Sequence, residues 1–261
     1  MPPTSRIITL TSDFGIADHY VGTMRGVVFS INPEARVVDI SNSIPSFDVL
    51  EGALTIDQAY RYFPKGTVHL VIVDPGVGSA RRPVLASAGG HFFLAPDNGV
   101  LSLVLAREGG EVRHVTSSHY FLQPLSNTFH GRDIFAPVAA HLSKNMEAQK
   151  FGEIITDFQR FAVPRPKQIS AGELRGAIIK VDKFGNLVTN VRAEEISNAQ
   201  NLRISIGSQV ITKLAASYAE GAPSELFCIV GSMGYVEIAT NRGSAAKLCS
   251  AARGMEVTVL T

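Results

Sequence analysis

Apolar and polar positions alternate with two different periods along about the first 160 residues, which predicts strands and helices in turn. The run Thr67–Val73 is almost continuously apolar, as is typical of a strand buried on both faces. This pattern predicts strands at Arg6–Leu10, Arg36–Ile40, Thr67–Val73, Val84–Ala88 and His91–Leu94, and helices at Tyr20–Ile31, Glu51–Phe63, Val100–Arg107 and Ile134–Leu142. Gly89-Gly90, between the last two of these strands, predicts a hairpin. We therefore expect an α/β N-terminal domain with a mostly parallel sheet flanked by helices.

The pattern changes near residue 160, where FAVPRPKQIS (161–170) has two prolines and no period. This segment predicts a linker between about residues 160 and 175, and therefore domains at 1–162 and 174–261. Short strand-like runs between turn residues follow, at Gly176–Val181, Leu187–Asn190, Leu202–Ile206, Gln209–Thr212, Leu226–Val230, Tyr235–Ala239 and Glu256–Leu260. They predict a small all-β antiparallel C-terminal domain, either a sandwich or a barrel. Ligands often bind in the cleft between two domains.

The charge and the cysteine content of the chain argue against several classes of partner. The 261 residues carry 24 basic and 23 acidic side chains, and Arg81-Arg82 is as long as any basic block. We therefore expect neither a nucleic-acid partner nor a membrane surface. Cys228 and Cys249 have no metal-site spacing, so we expect buried thiols, no metal and a reducing cytoplasm. Asp13 interrupts the N-terminal apolar stretch, which does not have the pattern of a signal peptide.

A glycine-rich turn follows the third strand in VIVDPGVGSARRP (71–83). Asp74 stands where the apolar run stops, and Arg81 and Arg82 close the turn. The segment has neither the Gly-Lys-Ser/Thr ending of a P-loop nor the third glycine of a dinucleotide fingerprint. Two interpretations remain at this point: a plain turn with surface arginines, or a loop that holds a small nucleophile or anion.

Asp13, in LTSDFG (10–15), and His130, in TFHGRDIFAP (128–137), are further candidates. DFG is also a protein-kinase motif, but the other kinase motifs are missing. Asp13 or Asp18 could cap the following helix. Alternatively, Asp13 and Asp74 share a crevice, because parallel strands end at one edge of a sheet. His130 is either structural or part of a site, and its surroundings lack metal-binding spacing.

The turn in VDKFGNLVTN (181–190) opens a strand of the second domain. It is either a plain tight turn or a purine site, since the Asn186 amide can match the edge of a purine and the Phe184 ring can stack on its face. The segment 231–246 mixes Gly, Ser and Asn with a strand, and alone it predicts only a strand and loops.

Together and in this order, LTSDFG, VDPGVGSARRP, TFHGRDIFAP, VDKFGNLVTN and GYVEIATNRGSAA resemble one family of enzymes. These are the adenosine-forming S-adenosylmethionine (SAM) hydrolases, also called SAM hydroxide adenosyltransferases, which are related to fluorinating and chlorinating enzymes. The resemblance covers about residues 7–260. It implies hydrolysis of SAM to adenosine and methionine without a cofactor. It also implies a homotrimer whose sites lie between the N-terminal domain of one subunit and the C-terminal domain of the next.

The resemblance also implies how the nucleoside is held. Asp13 would bind the ribose hydroxyls. Asn186 would bind the adenine edge, helped by backbone near Arg242. Phe184 and Tyr218 would pack on the adenine ring.

For the methionine part, the resemblance implies that Asp18 and Asp182 face the ammonium group and that Ser232 binds the carboxylate. The halogenating relatives carry an arginine after this serine, where the present chain has Met233.

Asp74, Arg81 and His130 match the triad that places the attacking water in the family. Halogenating relatives have tyrosine at the position of Asp74, and the fluorinating branch has serine at the position of Gly131. A carboxylate beside the nucleophile repels a halide ion, whereas it can accept a proton from water. Two alternatives to hydrolysis remain: a halide (chloride) adenosyltransferase, and a nucleoside-binding protein that performs no chemistry.

Overall fold

The structure is a computed structural model that describes residues 6–197 and 201–261. The chain forms two compact units, residues 1–162 and 163–261. No helix in these described ranges is both long and apolar enough to cross a membrane.

The first unit is a seven-stranded sheet with helices on both faces. Its strands are β1 (Ile7–Ser12), β2 (Arg36–Ser41), β3 (Val68–Ile72), β4 (Pro83–Ala88), β5 (His91–Pro96), β6 (Glu111–His114) and β7 (Ile154–Ile155). Its helices are α1 (Tyr20–Ile31), α2 (Val49–Ala59), α3 (Ser102–Glu108) and α4 (Ala136–Ser143), and a π turn at Gly131–Phe135 leads into α4.

The α/β domain with flanking helices is confirmed, but its sheet is mixed, with only three of the six strand pairs parallel. The strand order is β2-β1-β3-β5-β4-β6-β7. The pairs β1/β2, β1/β3 and β3/β5 are parallel, whereas β5/β4, β4/β6 and β6/β7 are antiparallel. The cause is the hairpin at Gly89-Gly90, because a two-residue turn reverses the chain in the middle of the sheet.

Alternate residues of β3 face opposite sides of this sheet, as the pleat requires. Leu70 and Ile72 belong to a buried cluster with residues of α1 and α4, and Val71 belongs to a second cluster with residues of α2 and α3. Every residue of β3 is buried, which confirms the strand buried on both faces. Asp74 follows β3, and Asp13 follows β1, its parallel neighbour.

The second unit is a nine-stranded sheet. Its strands are β8 (Lys167–Ser170), β9 (Glu173–Val181), β10 (Leu187–Arg192), β11 (Arg203–Ile206), β12 (Gln209–Ile211), β13 (Leu214–Ala215), β14 (Leu226–Val230), β15 (Tyr235–Thr240) and β16 (Glu256–Leu260). The two short helices are α5 (Ala193–Ile196) and α6 (Ala245–Leu248).

The strand order of this second sheet is β12-β11-β16-β9-β10-β15-β14-β13, with β8 paired to β9. All pairs are antiparallel except β13/β14. β12, at one end, also contacts β14 near the other end, so the sheet curls round its core. The antiparallel β character is confirmed, and the single curled sheet is closer to the barrel than to the sandwich of the two predicted forms. Strand β8 lies within the segment predicted as a linker.

Candidate active site

The first unit contains a cavity of about 400 Å³ beside the ends of β1 and β3. Four candidate residues from the sequence line it: Asp13, Asp18, Asp74 and His130. The remaining wall is largely aromatic or apolar and includes Phe14, Tyr20, Phe47, Ile72, Val77 and Phe129. This arrangement places carboxylates and an imidazole beside aromatic and apolar side chains.

The glycine-rich turn packs closely against the chain that leads to His130. Gly78 has a left-handed φ of 76°, and a Cβ at this position would overlap the carbonyl oxygen of Asn127. The buried carboxylate of Asp133 holds the same segment, because its Oδ2 accepts a hydrogen bond from the N–H of Ser126 at 2.8 Å. These contacts bring the turn and His130 together.

Arg81 forms a paired ion contact with Asp74. Its Nε donates to Asp74 Oδ1 at 2.9 Å, and its Nη2 donates to Asp74 Oδ2. The two side chains are only 8% and 7% exposed. A guanidinium and a carboxylate in this two-point geometry fix each other's orientation more firmly than a single contact would. The plain-turn interpretation with surface arginines is therefore wrong for Arg81. Arg82 turns elsewhere and pairs with Asp97 and Asp157.

Arg81 also contacts His130, with its Nη2 2.8 Å from Nδ1 of the imidazole. Because a guanidinium only donates, Nδ1 must accept, which leaves the ring proton of neutral His130 on Nε2. Burial lowers the pKa of His130, and the positive charge of Arg81 lowers it further. His130 is therefore a neutral imidazole near pH 7.

Two further features of Arg81 matter. Its Nη1 is buried and has no hydrogen-bond partner among the described residues. The ring of Phe135 lies under the guanidinium, with 5.5 Å between Arg81 Cζ and the ring centre. A buried donor without a partner favours a polar ligand, such as a water molecule or an anion, at this position.

Asp13 does not cap the following helix. Its Oδ2 accepts a hydrogen bond from the N–H of Phe47 at 2.9 Å. The N-cap of α1 is His19, and no side chain supplies a cap hydrogen bond there. The capping interpretation is therefore wrong for both Asp13 and Asp18, and both carboxylates face the cavity.

The second unit contains its own cavity, of about 650 Å³. It is lined by Asp182, Phe184, Asn186, Tyr218, Thr240, Asn241, Arg242 and Gly243. Five of these residues are candidates from the sequence. The ring of Phe184 is 75% exposed, so one face is open to a ligand. This cavity combines aromatic rings with amide and hydroxyl groups.

The turn at Asp182 is built around the carboxylate of that residue. Oδ1 accepts from the N–H groups of Phe184 and Asn186, and Oδ2 accepts from Asn186 Nδ2 at 2.9 Å. Gly185 has a φ of 86°, and a Cβ there would overlap Oγ of Ser244. Asp182 therefore orients the Asn186 amide, which keeps its carbonyl oxygen and a second N–H for other partners.

Tyr218 is fixed by a buried acid that the sequence did not identify. Its hydroxyl donates to Glu237 Oε2 at 3.1 Å. Burial, together with the negative charge of Glu237, raises the pKa of Tyr218 to about 12. Burial also raises the pKa of Glu237, whereas the hydrogen bond from Tyr218 lowers it. Glu237 is the one charged residue of strand β15 (YVEIAT), and a charge within a mainly apolar strand was the available sequence signal.

The remaining two candidates of the second unit, Ser232 and Arg242, differ in their relation to its cavity. Ser232 lies in the turn between β14 and β15, is exposed, and is not among the residues that line the cavity. Arg242 lines it and has a left-handed φ of 54°.

The aromatic residues around the first cavity were also missed from the sequence. Phe14 and Phe129 are direct neighbours of Asp13 and His130, and their rings meet edge to face at 5.8 Å. Their adjacency to the candidate residues was the signal that could have identified them.

Comparisons with known proteins place the chain in one enzyme family. The model of the SAM hydroxide adenosyltransferase N-terminal domain matches residues 8–152, and that of the C-terminal domain matches residues 176–258. The chain belongs to the SAM hydroxide adenosyltransferase family.

Its relatives include hydrolases and halogenating enzymes. The (R)-S-adenosyl-L-methionine hydrolase of Salinispora tropica is 36% identical over 97% of each chain. The Fluorinase of an Actinoplanes species is 30% identical, again over 97% of each chain. An uncharacterized conserved protein from Thermotoga maritima, known from its crystal structure, is 32% identical in sequence. The two structures superpose with a TM-score of 0.90 over 98% of this chain and 100% of that one.

Proposed function

We propose that this protein hydrolyses SAM to adenosine and methionine by attack of water at the ribose C5′. One observation carries the proposal: the buried Asp74–Arg81–His130 cluster, joined by hydrogen bonds, lies at a cavity that other carboxylates also line. The hydrolases among the relatives support the same reaction.

The reaction needs a nucleophile more than it needs an acid. A C–O bond forms at C5′ as the C–S bond breaks, and the electron pair of that bond goes to sulfur. Water loses one proton overall, and the net reaction releases this proton to the solvent. The leaving group is a neutral thioether released from a sulfonium cation, so it requires no protonation. Hydroxide and sulfonium cancel each other's charge on reaction, and a site of low dielectric favours this cancellation.

The cluster provides donors for the incoming oxygen. Arg81 Nη1 is a buried cationic donor without a partner in residues 6–197 and 201–261, and neutral His130 carries its proton on Nε2. Both groups would hold the attacking water and stabilise hydroxide, which lowers the effective pKa of that water. Asp74 holds Arg81 in place. In this assignment His130 is a hydrogen-bond donor to the nucleophile instead of the base.

The nucleoside would be held by both cavities. Asp13 accepts hydrogen bonds from the ribose hydroxyls, and Asn186 matches the adenine edge together with backbone near Arg242. Phe184 and Tyr218 pack on the adenine ring. The amide of Asn186, oriented by Asp182, supports this assignment.

The methionine part of SAM would contact three side chains. Asp18 and Asp182 face the ammonium group, and Ser232 binds the carboxylate. Asp182 already accepts hydrogen bonds from its own turn. It would therefore attract the ammonium group mainly through its negative charge and less through a direct hydrogen bond.

We also propose a homotrimer in which each site combines the first unit of one copy with the second unit of the next. The division of the proposed contacts between a cavity of residues 1–162 and a cavity of residues 163–261 supports this arrangement.

Incubation with SAM, followed by chromatography, tests the function. Hydrolysis yields adenosine and methionine in equal amounts without added halide. A halogenated nucleoside formed only with added chloride would favour the halide transferase. Binding of adenosine without any product would favour the nucleoside-binding protein.

A further inference from the structure

The chain after His130 enters α4 through one π turn, Gly131–Phe135. The N–H of Ala136 donates to the carbonyl oxygen of Gly131, five residues earlier. Single π turns are rare within helices and are found frequently at functional sites. The residues that flank and end this turn suggest what it does.

His130 comes directly before the turn and Phe135 ends it, and both contact Arg81. Nη2 of Arg81 is 2.8 Å from His130 Nδ1, and its Cζ is 5.5 Å from the centre of the Phe135 ring. In a regular α-helix, two residues five apart point about 140° away from each other, because each residue advances about 100°. A π turn is wider and hydrogen-bonds residues five apart, so it brings such residues towards one side.

The two kinds of contact restrain Arg81 in different directions. Asp74 and His130 bind the hydrogen-bonding edge of the guanidinium. Hydrogen bonds at that edge leave the group able to tilt about it, whereas an aromatic ring beneath the group opposes the tilt. Phe135 is fully buried and Arg81 is nearly so. Attraction between a cation and a ring is strongest where water is excluded.

We propose that Phe135 is a positioning residue for the hydrolysis, a role that rests on the proposed function. Its ring, brought under Arg81 by the π turn, holds the guanidinium in the orientation in which Nη1 meets the attacking water. The same orientation keeps Nη2 on His130 Nδ1. Phe135 acts through Arg81 and is not a catalytic residue, since the proposal gives it no contact with substrate.

Replacing Phe135 with leucine tests this role, and Phe151→Leu is the matched control. Both rings are fully buried in the same cluster, but Phe151 contacts Tyr120 instead of Arg81. We expect both variants to lose thermal stability. We expect Phe135→Leu alone to lower kcat, by about tenfold, which is the size of a buried cation–ring contact. The dissociation constant for adenosine should stay within about twofold, because nucleoside binding does not involve the ring.

A second measurement does not depend on activity. Nitrogen NMR of labelled histidine follows the protonation of His130 with pH. In the unaltered protein and in Phe151→Leu, Nδ1 should remain an acceptor and the pKa of His130 should lie below its ordinary value. In Phe135→Leu, the pKa of His130 should rise towards its ordinary value, because Arg81 is less firmly placed.

The proposal is overturned if Phe135→Leu matches Phe151→Leu in both kcat and the titration of His130. If the unaltered protein does not hydrolyse SAM, the proposed function fails. The NMR comparison then decides whether Phe135 positions Arg81: an unchanged titration in Phe135→Leu rejects that role.

Discussion

Arg81 Nη2 lies 2.8 Å from His130 Nδ1, although 49 positions along the chain separate the two residues. This contact fixes His130 as an acceptor at Nδ1 and a donor at Nε2. It also links the turn after β3 to the segment before α4. The charge of Arg81 is thereby shared between a carboxylate and a neutral imidazole at the cavity.

Substitutions in the cluster should remove turnover and spare binding. We expect Asp74→Asn, Arg81→Ala and His130→Ala each to lower kcat by about a hundredfold or more, because they disturb the placement of the nucleophile. The Arg81→Ala/His130→Ala double variant should be little worse than the worse single one, since the residues act as a unit. Steady-state kinetics and calorimetry with adenosine measure these effects.

Arg82→Ala is the control for this series. Arg82 is the next residue, but it pairs with Asp97 and Asp157. The variant should be less stable and keep its kcat. Full activity in His130→Ala would leave His130 as a structural residue.

Asp13→Ala should weaken substrate binding more than it weakens the fold. Charged hydrogen bonds to ribose hydroxyls contribute about 1.5–3 kcal/mol each, so a loss of affinity of tenfold or more is expected. Its contact with the Phe47 N–H contributes about 1 kcal/mol to stability.

Asp48→Ala provides the comparison for Asp13. Asp48 caps α2 by accepting from the N–H of Glu51 at 3.0 Å, and loss of such a cap costs about 1 kcal/mol. Thermal unfolding and calorimetry should show similar stability losses in both variants and an affinity loss only in Asp13→Ala. If Asp13→Ala binds the substrate as tightly as Asp48→Ala does, Asp13 is not part of the binding site.

Mixed oligomers should test whether a site combines two copies. Asp74→Asn should fail in chemistry and Asn186→Ala in adenine binding, and each variant alone should be nearly inactive. If the two chains are co-expressed with different tags and assemble at random, about a quarter of the sites contain neither substitution. Recovery of about that share of activity is expected. No recovery in mixed trimers, or a fully active monomer by sedimentation, would contradict shared sites.

Acid should destabilise the first unit through two buried histidines. Burial and, to a smaller extent, the neighbouring His91 lower the pKa of His69 to about 3. Burial, followed by the charge of Lys65, lowers the pKa of His91 to about 4. The unfolded chain has ordinary histidines near pH 6.5, so it binds more protons than the fold between about pH 6.5 and these lower values. The contribution of these two histidines to the free energy of unfolding is therefore fully present above about pH 6.5 and is lost as the pH falls through this range.

Denaturant unfolding at several pH values measures this dependence. The slope should reach about 1.4 kcal/mol per pH unit for each histidine. His91→Gln should flatten the dependence, whereas substitution of the exposed His119 by glutamine should leave it unchanged. Stability that is independent of pH between 4 and 6.5 would contradict this account.

The sequence predicted the strands that carry the site better than it predicted the sheet. Continuous apolar runs identified β3 and its neighbour β1, and helical spacing identified α1. The hairpin at Gly89-Gly90 was predicted, but its consequence for the sheet was not: it reverses the chain between β4 and β5 and makes the sheet mixed. β6 and β7 were missed because one is polar and the other has two residues. β6 and β7 are strands because they pair with neighbouring strands, whereas their own sequences have no strand pattern.

The candidate residues were identified by motif, but their contacts depend on the fold. Asp74 and Arg81 are close in sequence, so a turn could be expected to pair them. The Arg81–His130 contact depends on Gly78 fitting against Asn127, which no periodicity indicates. The π turn has no distinctive residue preference that would predict it. Asp182 orients Asn186, a role that became apparent only from the hydrogen bonds of the turn.

The most direct test of the proposed function is to let the protein act on SAM in water labelled with a heavy oxygen isotope. Mass spectrometry of the products then locates the label. Attack at C5′ puts one labelled oxygen in the 5′-hydroxyl of adenosine and none in methionine, and Asp74→Asn should form neither product at a comparable rate. Label in methionine, or unlabelled adenosine, would contradict attack of water at C5′.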